Sequence, residues 1–396
     1  MTFSRRSCTR FMVWILSAMA GSLVCIAAFN VVVDPWDVRH WPWEASLEAY
    51  KKLGDDPAQK ASQFTGGQWQ VVFTGASRTE LALSPFSPAL RGQSAYNLGI
   101  SGASAFTLFT AAQYALSNDP GLKTLVVELD PSYLREEAHE RRAAVNASPF
   151  NPAMERLPWS MRLLSSGQIT RQSFRTLDFA LRGRKVGAPH GFFGYGEEND
   201  KTPHALFALR QWGVPGMDSV RAPEGAFDLY RADALLPLAQ NCRAHGVRLV
   251  VFIPPAHAVR LAGLASFGDW QDLKAFKTRL ALLAEQGGFE AYDFMGCGDW
   301  ATEDISDAPG ARMTWYYEPI HFRREMGDRL LERMLGPAAQ DEALPGGFGV
   351  RLRPANMEAH LQAVDHALAV YVKGRPGLGG LLPTEGLAAR LEQPAK

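Results

Sequence analysis

Val71–Glu80 reads VVFTGASRTE, a β-branched apolar run that stops abruptly at Gly75-Ala76-Ser77-Arg78. An apolar run closed by glycine predicts a buried strand ending in a sharp turn. A serine just past such a turn sits at the carboxyl edge of a parallel sheet, where open α/β sheets build their sites. The same position also suits a serine that only caps the next helix. The stretch therefore sets a fold class and nominates Ser77 as a nucleophile.

Working outward, strand character recurs at Gln70–Thr74, Ser94–Leu98, Thr124–Leu129, Val247–Ile253 and Glu290–Phe294. The third run is apolar apart from its ends and Glu128, as expected of a strand buried on both faces. Ala105–Leu116, Phe227–His245 and Trp270–Gln286 carry helical spacing between the strands, and Arg324–Met334 and Asn356–Tyr371 carry it after them. Strands alternating with helices predict an α/β fold, a doubly wound parallel sheet of about five strands. Residues 135–225 break the pattern, being rich in arginine, serine, proline and glycine, and read as a helical insertion or cap. It has helical patches at Trp159–Leu164 and Ser173–Leu181 and a glycine cluster around Gly187–Gly196.

Phe11–Val33 is almost wholly apolar and long enough to cross a bilayer as a helix. Arg5, Arg6 and Arg10 precede it and Asp34 and Asp37 follow, which predicts a cytoplasmic N-terminus and an exported main domain. A cleaved signal peptide is the rival reading, although Ala18-Met19-Ala20 falls inside the run and no clean site follows it. Trp36, Trp41 and Trp43 come next, either at headgroup level or packed under the globular domain. The expected organisation is residues 1–10 cytoplasmic, 11–33 transmembrane and 34–68 juxtamembrane, with a helix near Ala45–Leu53. A domain over 69–336 follows, then a helical element over 337–372 and a mobile tail over 373–396. The protein is expected as a single-pass protein of the inner (cytoplasmic) membrane, with its main domain periplasmic or extracellular.

Lysine plus arginine equals aspartate plus glutamate at 41 each, so nothing supports a nucleic-acid partner, which needs a basic stripe. The four cysteines are too few for a disulfide framework. Cys242 and Cys297 read as buried free thiols or, in an oxidising compartment, as a disulfide. No C-x-x-C pair or His/Cys cluster appears, and His139, His190 and His204 lack ligand spacing. Neither a metal nor a cofactor is expected.

Acyl transfer by a serine needs a base, a carboxylate that orients the base, and donors for the oxyanion. Glu318-Pro319-Ile320-His321 supplies the carboxylate and the base, three residues apart at the expected head of a helix. There a carboxylate can hold one imidazole nitrogen and leave the other free. Acid and proline are also ordinary at a helix start.

The order Gly75-Ala76-Ser77, Asn97-Leu98-Gly99-Ile100-Ser101-Gly102, a polar residue after the third strand and Glu318-x-x-His321 resembles the SGNH/GDSL hydrolase superfamily. The resemblance covers scattered motifs over about residues 70–335. It implies a flavodoxin-like sheet, Ser77 as nucleophile, His321 as base and Glu318 as orienting acid. The Ser77 and Gly102 amides would be the oxyanion donors. Two departures stand out: glutamate replaces the usual aspartate at 318, and Asp130-Pro131-Ser132 replaces the third motif, with Ser132 where an asparagine donor is usual. A hydroxyl can still donate one hydrogen bond. With its apolar leader, the chain is similar to exported alginate O-acetylation proteins and to the D-alanyl transfer protein. That likeness implies a membrane-bound serine esterase or O-acyltransferase acting on a cell-envelope polysaccharide or a similar acyl ester, beside a membrane-bound O-acyltransferase. A catalytically silent scaffold or glycan-binding partner is the alternative.

Four further residues are candidates for the pocket. Arg78 either clamps an anionic group or pairs with a nearby acid, and Asp130 ends the third strand. His257, after the fourth strand, either lines the pocket or bonds within its loop. Tyr317, with Tyr316, either stacks on sugar rings or packs beside the helix start.

Overall fold

The parallel strands are β1 (Val71–Gly75), β2 (Ala95–Gly99) and β3 (Thr124–Glu128), buried from end to end, and β4 (Arg248–Ile253) and β5 (Glu290–Asp293), buried after a half-buried first residue. A short β6 (Val350–Arg351) completes a six-stranded sheet of order β2-β1-β3-β4-β5-β6. This computed structural model describes residues 5–39, 41, 43, 46–52, 57–134, 139–146, 148–151, 160, 161, 163, 164, 166–186, 189–194, 202–212, 229–308, 310–337, 347–375 and 386–391. The helices are α1 (Arg5–Val33), α2 (Pro57–Phe64), α3 (Ser77–Ala82), α4 (Ala105–Asn118), α5 (His139–Asn146), α6 (Gly167–Leu181), α7 (Pro203–Trp212), α8 (Leu235–Ala244), α9 (Ala258–Phe267), α10 (Trp270–Gly287), α11 (Arg324–Leu335), α12 (Met357–Lys373) and α13 (Leu387–Leu391).

The first five strands are parallel, and only β5–β6 is antiparallel. The expected α/β class and parallel sheet hold, with one strand beyond the expected count. Two residues are too short to show a period of two in the sequence, and β6 gains its place through tertiary bonds. The Leu352 amide donates to Ala291 O at 2.8 Å, and Arg333 Nε donates to Gly349 O at 2.8 Å.

The chain divides into two compact units, residues 68–142 with 194–396, and residues 1–67 with 143–193. In the first unit, β1 lies between β2 and β3, so the strand order reverses there and the carboxyl ends of β1 and β3 flank a switch point. Val71, Val72, Leu125, Val126, Val250 and Val251 form the middle of the core, each contributing about 1.5–3 kcal/mol by leaving water. Asp293, at the end of β5, binds Lys277 of α10 and His360 of α12, both at 2.7 Å. Burial opposes its ionisation, but those two partners hold its carboxyl below the ordinary range. Cys242 and Cys297 are buried and unpaired, and burial pushes both thiols up to about 12.

The second unit joins the N-terminal segment to the middle of the expected 135–225 insertion. Trp36, Ala58 of α2 and Ile169 of α6 form its small core, with Val38 and Leu163 beside them. Within α1, Thr9–Val33 is a 25-residue apolar stretch of mean hydropathy 2.1 whose most apolar window is unburied, whereas Asn30 and Val33 at its end are buried. A helix of this length and composition serves as a membrane anchor or as a signal sequence. Residues 48–50 form a single 3-10 turn in the region expected as a helix, whereas Ala45 and Leu53 lie outside the described residues. Trp159, Gly187, Gly196, Phe227 and most of the tail beyond Lys373 do too.

Helix α11 begins three residues after His321 and crosses α3 at Gly327, where a Cβ would run into the backbone carbonyl of Ala82. A backbone oxygen cannot swing aside as a side chain can. Gly327→Ala would ordinarily favour a helix, but here it should destabilise the fold by roughly 1–3 kcal/mol. Urea unfolding of the two proteins checks this, and a stabilised variant would contradict the close crossing.

Candidate active site

Strand β1 ends at Gly75, Ala76 makes the turn, and Ser77 opens α3. A Cβ at Gly75 would run into Thr79 and the Glu128 carboxylate, so glycine is required there. Glu128, the one acid inside the apolar β3, is fully buried and gathers the turn around itself. Its Oε2 accepts from the Ala76 amide at 3.2 Å, the Thr79 amide at 3.0 Å and the Thr79 hydroxyl at 2.6 Å. Its Oε1 accepts from Arg78 Nε at 2.9 Å and the Tyr133 hydroxyl at 2.6 Å.

The opposite wall comes from residues 315–323. Tyr316 pairs with Phe322 in an antiparallel bridge, the Tyr317 amide donates to His321 O at 2.9 Å, and the Arg323 amide donates to Trp315 O at 2.8 Å. Glu318, Pro319 and Ile320 therefore form the tip of a tight hairpin. The sequence reading put Glu318 and His321 on a helix head, but α11 starts only at Arg324. Cross-strand bonds take up the amides that a helix would have used.

At this tip the buried Glu318 folds back on its own loop. It accepts from the Ile320 amide at 3.2 Å, the His321 amide at 3.0 Å and His321 Nδ1. The extra methylene of glutamate is spanned by this return. With Nδ1–H held by the carboxylate, Nε2 of His321 lies 2.7 Å from Ser77 Oγ. Ser77, His321 and Glu318 are thus brought into one hydrogen-bonded chain across 244 residues of sequence.

The loop after β2 is tied to the same turn. The Ile100 amide donates to Gly75 O at 2.9 Å, and Glu80 of α3 accepts from the Ser101 amide at 3.1 Å and from its hydroxyl. Asn97 donates to Thr79 O at 2.7 Å and Leu83 O at 2.8 Å, and it accepts from the Gly99 amide at 2.8 Å. The amides of Ser77 and Gly102 have no hydrogen-bond partner among the described residues, as donors reserved for a ligand would.

Other expected pocket residues are differently employed. Arg78 is buried between Glu128 and Asp130 at 2.9 Å each, so its charge is spent within the turn and is not offered to a substrate. Asp130 also accepts from the amide of Ser132 at 2.8 Å and from its hydroxyl. Burial raises the Asp130 pKa, but Arg78 and Ser132 together outweigh it and hold the carboxyl below its ordinary value. Ser132, expected as the third oxyanion donor, directs both its donors at Asp130 instead. Tyr317 is half-buried with the Arg323 guanidinium 4.1 Å from its ring centre.

His257 is not a pocket residue but a fully buried helix cap. Its Nδ1 accepts from the Val259 amide at 3.2 Å, so the proton lies on Nε2, which donates to Glu303 O at 2.8 Å. Its own amide donates to Pro319 O at 3.0 Å and its ring packs edge-on against Tyr316 at 5.4 Å, so it braces the Glu318–His321 hairpin from behind. Among the described residues no cluster of His, Cys, Asp and Glu is arranged to hold a metal. Sequence reasoning missed the bracing roles of Glu128, Tyr133 and Glu80. Only Glu128 left a signal, as a lone acid in an apolar strand. Compared with protein-family models and with curated proteins, the chain matches none.

Burial holds the His257 imidazole down at about 4, outweighing its bond to Glu303. An unfolded histidine titrates near 6.5, so between those values only the unfolded chain takes up the proton. The contribution of His257 to stability is complete above about pH 6.5 and is lost as pH falls towards 4, by roughly 3 kcal/mol in all. His257→Asn keeps a capping residue without the titration. Urea midpoints measured down to about pH 4 should fall less steeply for the variant, and equal slopes would contradict a buried neutral His257.

Proposed function

We propose that this chain is a serine esterase or O-acyltransferase of the SGNH/GDSL type, anchored in the membrane by α1. What carries the reading is the 2.7 Å bond between Ser77 Oγ and His321 Nε2, with Glu318 on the other ring nitrogen. Three features support the SGNH likeness: the mostly parallel sheet, the serine directly after β1 beside the switch point, and the late acid-x-x-His on a loop at the same site.

In this mechanism Ser77 Oγ attacks the carbonyl carbon of an acyl ester while His321 Nε2 takes the hydroxyl proton. Glu318 holds the imidazole in the Nδ1–H tautomer and stabilises the imidazolium that forms. The carbonyl oxygen, now an oxyanion, takes hydrogen bonds from the unpartnered amides of Ser77 and Gly102. His321 then protonates the leaving alcohol, and the acyl group stays on Ser77. Water or a sugar hydroxyl, deprotonated by His321, attacks the acyl-enzyme and frees the serine. With water the enzyme is an esterase, and with a hydroxyl it is a transferase. The leader and the SGNH-like domain together favour an acylated cell-envelope polysaccharide as substrate, with a membrane-bound O-acyltransferase as partner.

One observation favours the silent scaffold. Ser132 points both donors at Asp130, which leaves two oxyanion donors where the family has three. A missing donor costs about 3 kcal/mol of barrier, which slows an enzyme without ending its chemistry. Turnover of p-nitrophenyl acetate by the full chain in detergent divides the two readings. Ser77→Ala should lower kcat at least about a thousandfold, and Glu318→Gln by roughly 10²–10⁴-fold. Equal rates for wild type and Ser77→Ala would leave the scaffold standing.

A further inference from the structure

We propose that the outward face of α6 lies in the plane of an anionic phospholipid surface, beside the point where α1 leaves the bilayer. The proposal rests on reading α1 as an uncleaved anchor and is independent of the serine chemistry.

Helix α6 is joined to the last turns of α1. Asn30, a buried amide near the end of the apolar stretch, donates to Leu164 O at 2.8 Å and to Thr170 Oγ1 at 3.0 Å, and it accepts from Ser173 Oγ at 3.0 Å. The Phe29 ring lies 4.8 Å from that of Phe174. From Phe11 to Asn30 an α-helix rises roughly 30 Å, the thickness of a hydrocarbon core. Phe29 and Asn30 therefore stand at its outer boundary, and α6 meets α1 at that level.

The chain beyond α1 points to the same depth. Asp34 turns it back, and the indole nitrogens of Trp41 and Trp43 donate to Val31 O at 2.8 Å and Val32 O at 3.3 Å. The two rings stack at 5.0 Å. Tryptophans closing the last carbonyls of an apolar helix lie where such rings are enriched, at the headgroup boundary.

The exposed face of α6 combines apolar and cationic groups. Phe174 is 63% exposed and Leu181 89%, values that water does not favour in a helix whose opposite face is packed. Arg171 and Arg175 lie on the same exposed side, and Arg184 and Lys185 follow the helix. Its one acid, Asp178, is paired with Arg182 at 2.8 Å. Large apolar side chains flanked by cations characterise a helix lying in an interface, the rings and chains entering the acyl boundary and the cations meeting phosphate. A protein partner would not account for the shared level with α1 and its tryptophans.

Full chain in nanodiscs tests this, using a phospholipid that carries a diazirine near the head of its acyl chain and mass spectrometry of the crosslinked peptides. Discs of phosphatidylcholine alone are compared with discs that also contain phosphatidylglycerol. Peptides of both α1 and α6 should be labelled, with α6 labelling several-fold higher when phosphatidylglycerol is present. Arg171→Gln, Arg175→Gln and Lys185→Gln together should return α6 to the phosphatidylcholine level and leave α1 unchanged. Labelling of α1 without α6 overturns the proposal and leaves the anchor intact. Labelling of α6 that ignores phosphatidylglycerol and the three cations overturns the anionic surface. Absence of α1 from the mature chain overturns the anchor and this proposal together, while the esterase reading keeps its own test.

Discussion

A single buried carboxylate, Glu128, sets the geometry on which the candidate site depends. A charge buried in an apolar sheet is tolerated only when donors surround it, and the turn after β1 supplies them through two amides, a hydroxyl and the Arg78 guanidinium. Tyr133 supplies the last. Satisfying that charge fixes the backbone from Ala76 to Thr79, and so fixes the position of Ser77. Arg78 is held in turn by Asp130, and Asp130 engages Ser132. The price is paid at the third motif, where the serine that would complete an oxyanion hole is drawn into the network beneath it.

The histidine side is built by a different device. His321 needs its ring held at Nδ1 and its loop held against the sheet edge. Glu318 does the first by folding over its own hairpin tip. His257 does the second, as a neutral buried cap bonded to Pro319 O and packed on Tyr316. Glycine at 327 lets α11 approach α3 closely, which links the helix after the histidine to the helix that begins with the serine. Bracing of this kind holds Ser77 Oγ and His321 Nε2 at hydrogen-bond distance.

Local signals in the sequence carried the sheet and the site triad to different extents. Apolar runs locate β1, β3 and β4 most plainly, because burial on both faces leaves a composition signature that needs no partner to read, while the shorter β2 and β5 carry it more weakly. Ser77, His321 and Glu318 were legible as types in an order, and their meeting is a consequence of the switch point between β1 and β3. The hairpin at Tyr316–Phe322 was not legible, since Glu-Pro near a helix satisfies helix-start rules just as well. Arg78 pairs with acids, one of the two roles its sequence left open, although its partners Glu128 and Asp130 lie some fifty residues on. The turn of Ser132 towards Asp130 and the bond of His257 to Glu303 O were not legible. Nor was the division of the 135–225 stretch, because Asn30 recruits Leu164, Thr170 and Ser173 from well over a hundred residues away.

The central claim is that the fold delivers Ser77 as an activated nucleophile. The most direct measurement is mass spectrometry of the folded full chain after exposure to a fluorophosphonate, with urea-unfolded chain as the control. The account predicts a single phosphonyl adduct on Ser77 in the folded protein and none in the unfolded one, since activation resides in the bond to His321. A folded protein without an adduct, or with adducts spread over exposed serines while Ser77 stays unmodified, would contradict it.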